Sequence, residues 1–235
     1  MADIKNVAVL FSGGKDSTYA VEYCLERGWN IKYLLSVKPT RKDCYLFHYA
    51  TVEHTSLQAE ALGLKHRIIS CSVADPEQEA ALVKKAVAQE PVDAVLLGGV
   101  GLQVTQIQSI QKALLPLGIE VFASHGGEDH GALVEDRILK GYKIMITQVA
   151  GDGLKNWLGK ILTKDNFKQL QQDSVLYGFH SGGEGGSYDS YVLDAPFFKQ
   201  QVHFQELEVI RDGECTGHVE IQKSVLLPKQ ITLTQ

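Results

Sequence analysis

The chain has 235 residues, 44% of them hydrophobic and 22% charged, with a formal net charge of -5. That length supports one large domain or two modest ones with a real core, and the acidic balance argues against nucleic-acid binding over a broad surface. No apolar run reaches the ~18 residues of a membrane span, and Met1-Ala2-Asp3-Ile4-Lys5 lacks the regions of a secretory signal, so a cytoplasmic protein with no membrane partner is expected.

The first half alternates strand and helix signals. Val7-Ala8-Val9-Leu10-Phe11 is a continuous apolar run, as in a strand buried on both faces. A polar, Gly-rich stretch, Ser12 to Ser17, comes next. A helix then carries Ala20, Val21, Cys24 and Leu25 on its apolar face and stops at Gly28. Ile31 to Val37 predicts the second strand, Thr51 to Leu62 a helix stopped by Gly63, and Arg67-Ile68-Ile69 a short strand. Asp75-Pro76 is a capping side chain followed by proline at the first helical position. The helix it opens runs to about Glu90, with Val83, Ala86 and Val87 inward. Asp93 to Leu97 is a further buried strand ending in Gly98-Gly99. Ile107, Ile110, Leu114 and Leu117 form the next helical stripe, closed by Gly118, before the strand Ile119 to Phe122. This alternation predicts right-handed βαβ units and a parallel sheet, with ligands beyond the carboxyl ends of the strands, where the Ser12 loop and the Gly98-Gly99 turn lie.

After about Ser124 the pattern changes. His125-Gly126-Gly127-Glu128-Asp129-His130 is a polar break, read as a solvated interdomain loop. A helix from Ala132 to Lys140 and a strand from Lys143 to Val149 follow. Gly178 to Gly186 has the look of a functional loop. From Val202 onward, apolar and polar residues alternate across an Asp212-Gly213 turn, which predicts a β-hairpin. The division expected is residues 1–124 for nucleotide binding and 125–235 for a smaller α+β acceptor-substrate domain. The cysteines Cys24, Cys44, Cys71 and Cys215 form no C-x-x-C pair and read as free thiols packed as small apolar groups.

The strongest signal is strand, then Ser12-Gly13-Gly14-Lys15-Asp16-Ser17, then helix. The glycines let the backbone turn sharply and approach an anion. The N–H groups of Gly14 to Ser17 then point at it, helped by the helix dipole. Ser12 and Ser17 add hydroxyls and Lys15 a positive charge. Asp16 is a poor phosphate neighbour unless a cation lies between them, so it is assigned to Mg²⁺. The spacing is neither Walker A nor the dinucleotide G-x-G-x-x-G.

These residues resemble the PP-loop of the N-type ATP pyrophosphatases. The resemblance implies a doubly wound, Rossmann-like α/β fold, cleavage of ATP between its α and β phosphates, and an adenylated acceptor attacked by a nucleophile such as ammonia. Further stretches narrow it: Tyr45-Leu46-Phe47-His48, Leu57 to Gly63, Gly153-Leu154, Trp157-Leu158-Gly159, Gly178 to Asp189, and Val192 to Pro196. Together they look like the diphthine–ammonia ligase family, over most of the chain. That resemblance implies ATP-dependent amidation by ammonium of diphthine, a modified histidine of translation elongation factor 2, with release of AMP and pyrophosphate. It implies an ATP site of Ser12, Gly13, Gly14, Lys15, Asp16, Ser17, His48 and Gly98. Lys15, Asp16 and Glu184 are the expected catalytic residues, and a homodimer is compatible with it. The chain departs from the family's pattern at Gly98 to Val104, at Ala123-Ser124-His125 and at Ser187 to Ser190.

For the acceptor, Glu184, Gly185, Gly186, Tyr188 and Asp189 are the expected contacts, with the Tyr188 ring, Glu184 and Asp189 facing the trimethylammonium of diphthine. Other readings of the phosphate loop stay open: adenylation of a small carboxylate or an RNA base, sulfonucleotide reduction, or a nucleotide sensor without turnover. His54, His66, His203 and His218 are read as structural, Trp157 as a packing anchor, and Asp152 and Lys155 as helix-capping and solvated.

Overall fold

The computed structural model describes residues 4–40, 51–73, 75–98, 104–124 and 129–229. His48, Cys44 and the segment from Gly99 to Gln103 lie outside the described residues, as does His125 to Glu128.

The first half is a five-stranded parallel sheet. Its strands are β1 (Asn6–Leu10), β2 (Asn30–Pro39), β3 (His66–Cys71), β4 (Ala94–Leu97) and β5 (Glu120–Ala123), in the spatial order β3-β2-β1-β4-β5. Helices α1 (Lys15–Glu26), α2 (Thr55–Leu62), α3 (Pro76–Gln89) and α4 (Val104–Leu114) connect them. The doubly wound expectation is met. Alternate residues of β1 supply two cores, as a pleated strand must. Val7 and Val9 pack with Ala20, Val21 and Cys24 of α1. Ala8 and Leu10 pack with Val83 of α3 and Ile110 of α4. The order reverses between β1 and β4, and the crevice at such a switch point is where doubly wound sheets hold ligands.

Local signals set the helix ends. Asp75 accepts from the Gln78 amide at 2.9 Å with Pro76 behind it. Gly63 and Gly118 close their segments in the left-handed conformation. Two residues placed on inward stripes face outward instead: Leu25 is 44% and Leu117 42% exposed. Leu117 falls in a 3₁₀ turn, Leu115–Leu117, whose tighter winding takes it off the stripe of α4.

The second half is α+β. It contains α5 (His130–Leu139), β6 (Lys143–Ala150), β7 (Ile161–Leu162), α6 (Lys164–Tyr177), β8 (Tyr188–Asp194), β9 (Gln200–Arg211) and β10 (Thr216–Pro228). Strand β6 is central, pairing antiparallel with β8, β7 and β10. The expected hairpin is β9–β10, closed where the Asp212 amide donates to the Thr216 carbonyl at 3.1 Å. Helix α6 opens with a reciprocal box between Thr163 and Asn166 that the sequence reading passed over.

The halves share one core. The cluster containing Val7, Val9 and Phe11 continues through Ile144, Ile146, Trp157, Phe167 and Val192. Trp157 is a packing anchor, its indole N–H donating to Asp173 at 2.8 Å. Residues 151–159 are a run of turns, so Asp152 caps no helix there. Its carboxylate instead accepts from the Cys215 thiol at 2.6 Å. Cys24 and Cys71 are buried free thiols, whereas Cys215 is half-buried. Burial pushes the Cys24 thiol up to about 12. Among the described residues no helix is long and apolar enough to cross a membrane.

Candidate nucleotide and acceptor site

The loop between β1 and α1 sits at the switch point. Gly13 turns the chain at φ +79°, open to glycine at little cost, and Gly14 caps α1 in extended geometry. The Gly14 amide donates to Ser12 Oγ at 3.4 Å, the Ser17 hydroxyl donates to the Gly14 carbonyl at 3.1 Å, and the two hydroxyls lie 3.2 Å apart. Both sequence-assigned serines therefore stand in the loop they were assigned to. The end of β4 presses on the same turn. A Cβ on Gly98 would lie 2.5 Å from the Asp16 carbonyl carbon and the Ser17 nitrogen. Only a residue without a side chain lets β4 and α1 approach this closely.

Lys15 is 7% exposed and its Nζ lies 2.6 Å from an Asp16 carboxylate oxygen. A cation held at a helix N-terminus opposes the dipole, so Lys15 is placed there against the helix's own electrostatics and an anion in the loop would relieve it. The Asp16 side chain is one-third exposed at the first turn. Among the described residues no three His, Cys, Asp or Glu side chains gather as a metal site. A partly exposed carboxylate beside such a turn nevertheless fits Mg²⁺, which keeps several waters and binds through one or two carboxylates plus substrate phosphates.

The loop is joined to the second half through β8. The Lys15 amide donates to Ser190 Oγ at 3.2 Å, and the Val192 amide donates to the Gly13 carbonyl at 3.0 Å. Gln58, fully buried on α2, gives its side-chain NH₂ to the Gly13 carbonyl at 2.8 Å and to the Val192 carbonyl at 2.7 Å. One amide side chain thus staples loop, helix and strand together.

The Gly-rich segment lies just upstream of β8. Glu184–Gly186 is a short 3₁₀ turn, with Gly185 and Gly186 exposed. A Glu184 carboxylate oxygen lies against Nδ1 of His130, the first residue of α5. This corrects the reading of His130 as part of a solvated loop: it is buried on a helix whose N-cap is Asp129. Asp129 accepts from the Ala132 amide at 3.0 Å, and backbone hydrogen bonds hold its carboxyl below the usual range. Tyr188 is only 3% exposed. Its hydroxyl donates to the Ser181 carbonyl at 2.7 Å, and Lys15 Nζ lies 5.9 Å from its ring centre. Burial raises its pKa, with the charges of Asp16 and Glu184 adding to the effect. The ring expected to face the trimethylammonium is therefore enclosed, with the lysine of the loop on one side. Asp189 is half-buried at the start of β8.

One residue that sequence reading missed stands on the other wall. A shallow cleft of about 10 Å³ lies between Lys15, Asp16 and Tyr19 of α1 and Leu133, Val134 and Arg137 of α5. Arg137 is buried, its guanidinium stacked on Tyr19 at 3.9 Å and its Nε 3.3 Å from Glu22. Glu22 also accepts from the Tyr142 hydroxyl at 3.0 Å. The available signal was an arginine recurring at i+3 from Val134 on an otherwise apolar stripe.

A doubly wound sheet that delivers this Ser-Gly-Gly-Lys-Asp-Ser turn to a helix N-terminus at its switch point defines a PP-loop, ATP-binding type of protein. The chain matches the diphthamide synthase N-terminal domain over residues 5–120 and the diphthamide synthase C-terminal domain over residues 129–227. It belongs to the diphthamide synthase family. It is 28% identical over 226 residues to a diphthine–ammonia ligase of Danio rerio, covering 87% of this chain and 88% of that protein. A human protein of the same name is 29% identical over 229 residues, 87% of this chain and 84% of the relative. One from Schizosaccharomyces pombe is 27% identical over 221 residues, 86% of this chain but 36% of the longer relative.

Proposed function

We propose that this protein is a diphthine–ammonia ligase: it adenylates the carboxylate of diphthine with ATP and replaces AMP with ammonia, releasing pyrophosphate. The acceptor is translation elongation factor 2 carrying diphthine, and the setting is the cytoplasm. The observation that carries the reading is the direct bonding of β8, the strand that follows the Gly-rich loop, to the phosphate loop through Ser190 and Val192. A nucleotide held by the loop and an acceptor held by the Gly-rich segment then meet at one point, inside a chain matched by both family domains.

The residues divide the work. Ser12 to Ser17 hold the β and γ phosphates, the amides at the start of α1 supplying directed donors. Lys15 neutralises charge that develops on the departing pyrophosphate, and its burial strengthens that effect because little water competes. Asp16 would hold Mg²⁺, which would supply positive charge against the phosphates. Tyr188 acts as the wall that keeps Lys15 in place, while Asp189 presents negative charge to a cationic acceptor.

The test is acceptor-dependent turnover. Purified protein is incubated with Mg²⁺, ATP labelled at the α-phosphate, ammonium, and elongation factor 2 carrying diphthine. AMP that forms only with acceptor, together with conversion of its carboxylate to an amide by mass, is the expected result. AMP formed without that acceptor, or no AMP at all, rejects diphthine as the substrate.

A further inference from the structure

The ligase reading, on which this inference rests, leaves one chemical demand without a residue. Ammonium is protonated at neutral pH and has no lone pair. It must lose a proton beside the acyl adenylate before its nitrogen can attack.

A histidine–carboxylate pair lies one aromatic ring away from the lysine of the phosphate loop. The His130 ring at the start of α5 pairs through Nδ1 with the Glu184 carboxylate; the histidine is buried and the glutamate side chain is one-quarter exposed. Two separate paths lead from this pair to the phosphate loop. Along α5, His130, Leu133, Val134 and Arg137 recur at i, i+3, i+4 and i+7 and share a face. The last three of these line the cleft against Lys15 and Asp16. Across the Gly-rich turn, a Cβ on Gly183 would lie 2.9 Å from the Tyr188 ring, and Lys15 Nζ lies 5.9 Å from the centre of that ring. One phenol ring thus separates the Glu184 turn from the lysine of the loop.

The other titratable groups around the pair have duties of their own. Asp129 accepts the Ala132 amide at the cap of α5. His180 accepts the Gly182 amide through Nδ1 at 3.0 Å. Tyr188 donates to the Ser181 carbonyl. Across the cleft, Lys15 and Asp16 are paired with each other.

We infer that His130 and Glu184 form the ammonium site and take its proton. The carboxylate binds the cation. An N–H bond breaks, its electron pair stays on nitrogen, and the proton passes to the pair. The nitrogen lone pair then bonds the acyl carbon, the bond from that carbon to the AMP oxygen breaks, and AMP leaves with those electrons. The new nitrogen, still cationic, releases a second proton to solvent, giving the neutral amide.

The experiment compares ammonium with hydroxylamine, which is unprotonated at neutral pH and needs no base. His130→Gln, Glu184→Gln and the unaltered protein are each given ATP, Mg²⁺ and diphthine-bearing elongation factor 2 with one nucleophile or the other. Amide or hydroxamate is measured by the mass of the acceptor. Ammonium-dependent turnover is expected to fall about 100-fold in either variant, the scale of a lost general base. The ratio of hydroxylamine to ammonium turnover should rise at least about tenfold. Equal loss with both nucleophiles, in a variant that melts like the unaltered protein, overturns the assignment. Glu184→Gln, on a partly exposed turn, carries the test should His130→Gln fail to fold. An unaltered protein that makes neither product overturns the ligase reading as well, which the equal-loss result does not.

Discussion

The amide of Lys15 and the hydroxyl of Ser190, 175 positions apart in the chain, are hydrogen-bonded at 3.2 Å in the buried heart of the site. The amide belongs to the first turn of α1, where a helix leaves its N–H groups without internal partners. Ser190→Ala removes the acceptor and leaves that donor buried, at a cost of about 1–3 kcal/mol. Thermal melting should show the loss in the nucleotide-free protein and its partial recovery with saturating ATP. A deficit that nucleotide does not change would mean that this amide does not face the phosphates.

Gly98→Ala forces a methyl group against the backbone of Asp16 and Ser17 at the start of α1. Backbone cannot swing aside as a side chain does, so α1 must shift, at about 1–3 kcal/mol. Calorimetric titration with ATP should show affinity at least about tenfold weaker, while circular dichroism stays that of the folded protein.

Lys15→Ala should cut acceptor-dependent AMP formation by about 100-fold, the scale set by losing one charge-stabilising donor at a developing anion. Steady-state kinetics would place the loss mainly in kcat, because the loop amides still bind ATP. A change confined to KM would give the lysine a binding role only.

Arg137→Met removes the guanidinium beside the buried Glu22 carboxylate, which keeps the Tyr142 hydroxyl at 3.0 Å and Lys140 Nζ at 4.0 Å, and should destabilise the fold by about 1–3 kcal/mol. Combining it with Glu22→Leu should recover part of that loss. Denaturant midpoints of the two single variants and the double variant test this, and strict additivity would show that the pair is not coupled.

Acid should weaken the fold through His54 and His66. His66 Nε2 lies 2.8 Å from Ser36 Oγ, and His54 Nδ1 lies 3.0 Å from Ser224 Oγ. Burial holds both rings below their ordinary value of 6.5. Just below that value the unfolded chain binds protons that the folded protein does not, so stability falls as pH drops and levels off once the folded rings also protonate. The melting temperature should decline as pH falls through 6.5, and His66→Gln should flatten the decline.

Much of this architecture was legible in the chain itself. The apolar run Val7 to Phe11, the loop from Ser12 to Ser17 and the stop at Gly28 mark strand, anion turn and helix, because backbone conformation and one-sided burial leave local traces. Asp75-Pro76, Gly63 and Gly118 likewise marked boundaries that the structure keeps. The tail hairpin showed in its alternation. Helix α6 and strand β8 were not read, since the polar length of the one and the Gly-rich approach to the other hide their periodicity.

What the sequence alone determined is the chemistry offered at one edge of a parallel sheet: a phosphate turn with a lysine and a carboxylate in its first helical turn. Tertiary structure alone decided who meets that turn. Ser190 and Val192 reach it because β8 lies along the loop, Tyr188 is enclosed against Lys15 rather than open to solvent, and His130 leaves a polar stretch to pair with Glu184. Such pairings join residues tens to more than a hundred positions apart, and no local pattern encodes which distant hydroxyl or imidazole a given strand register brings alongside.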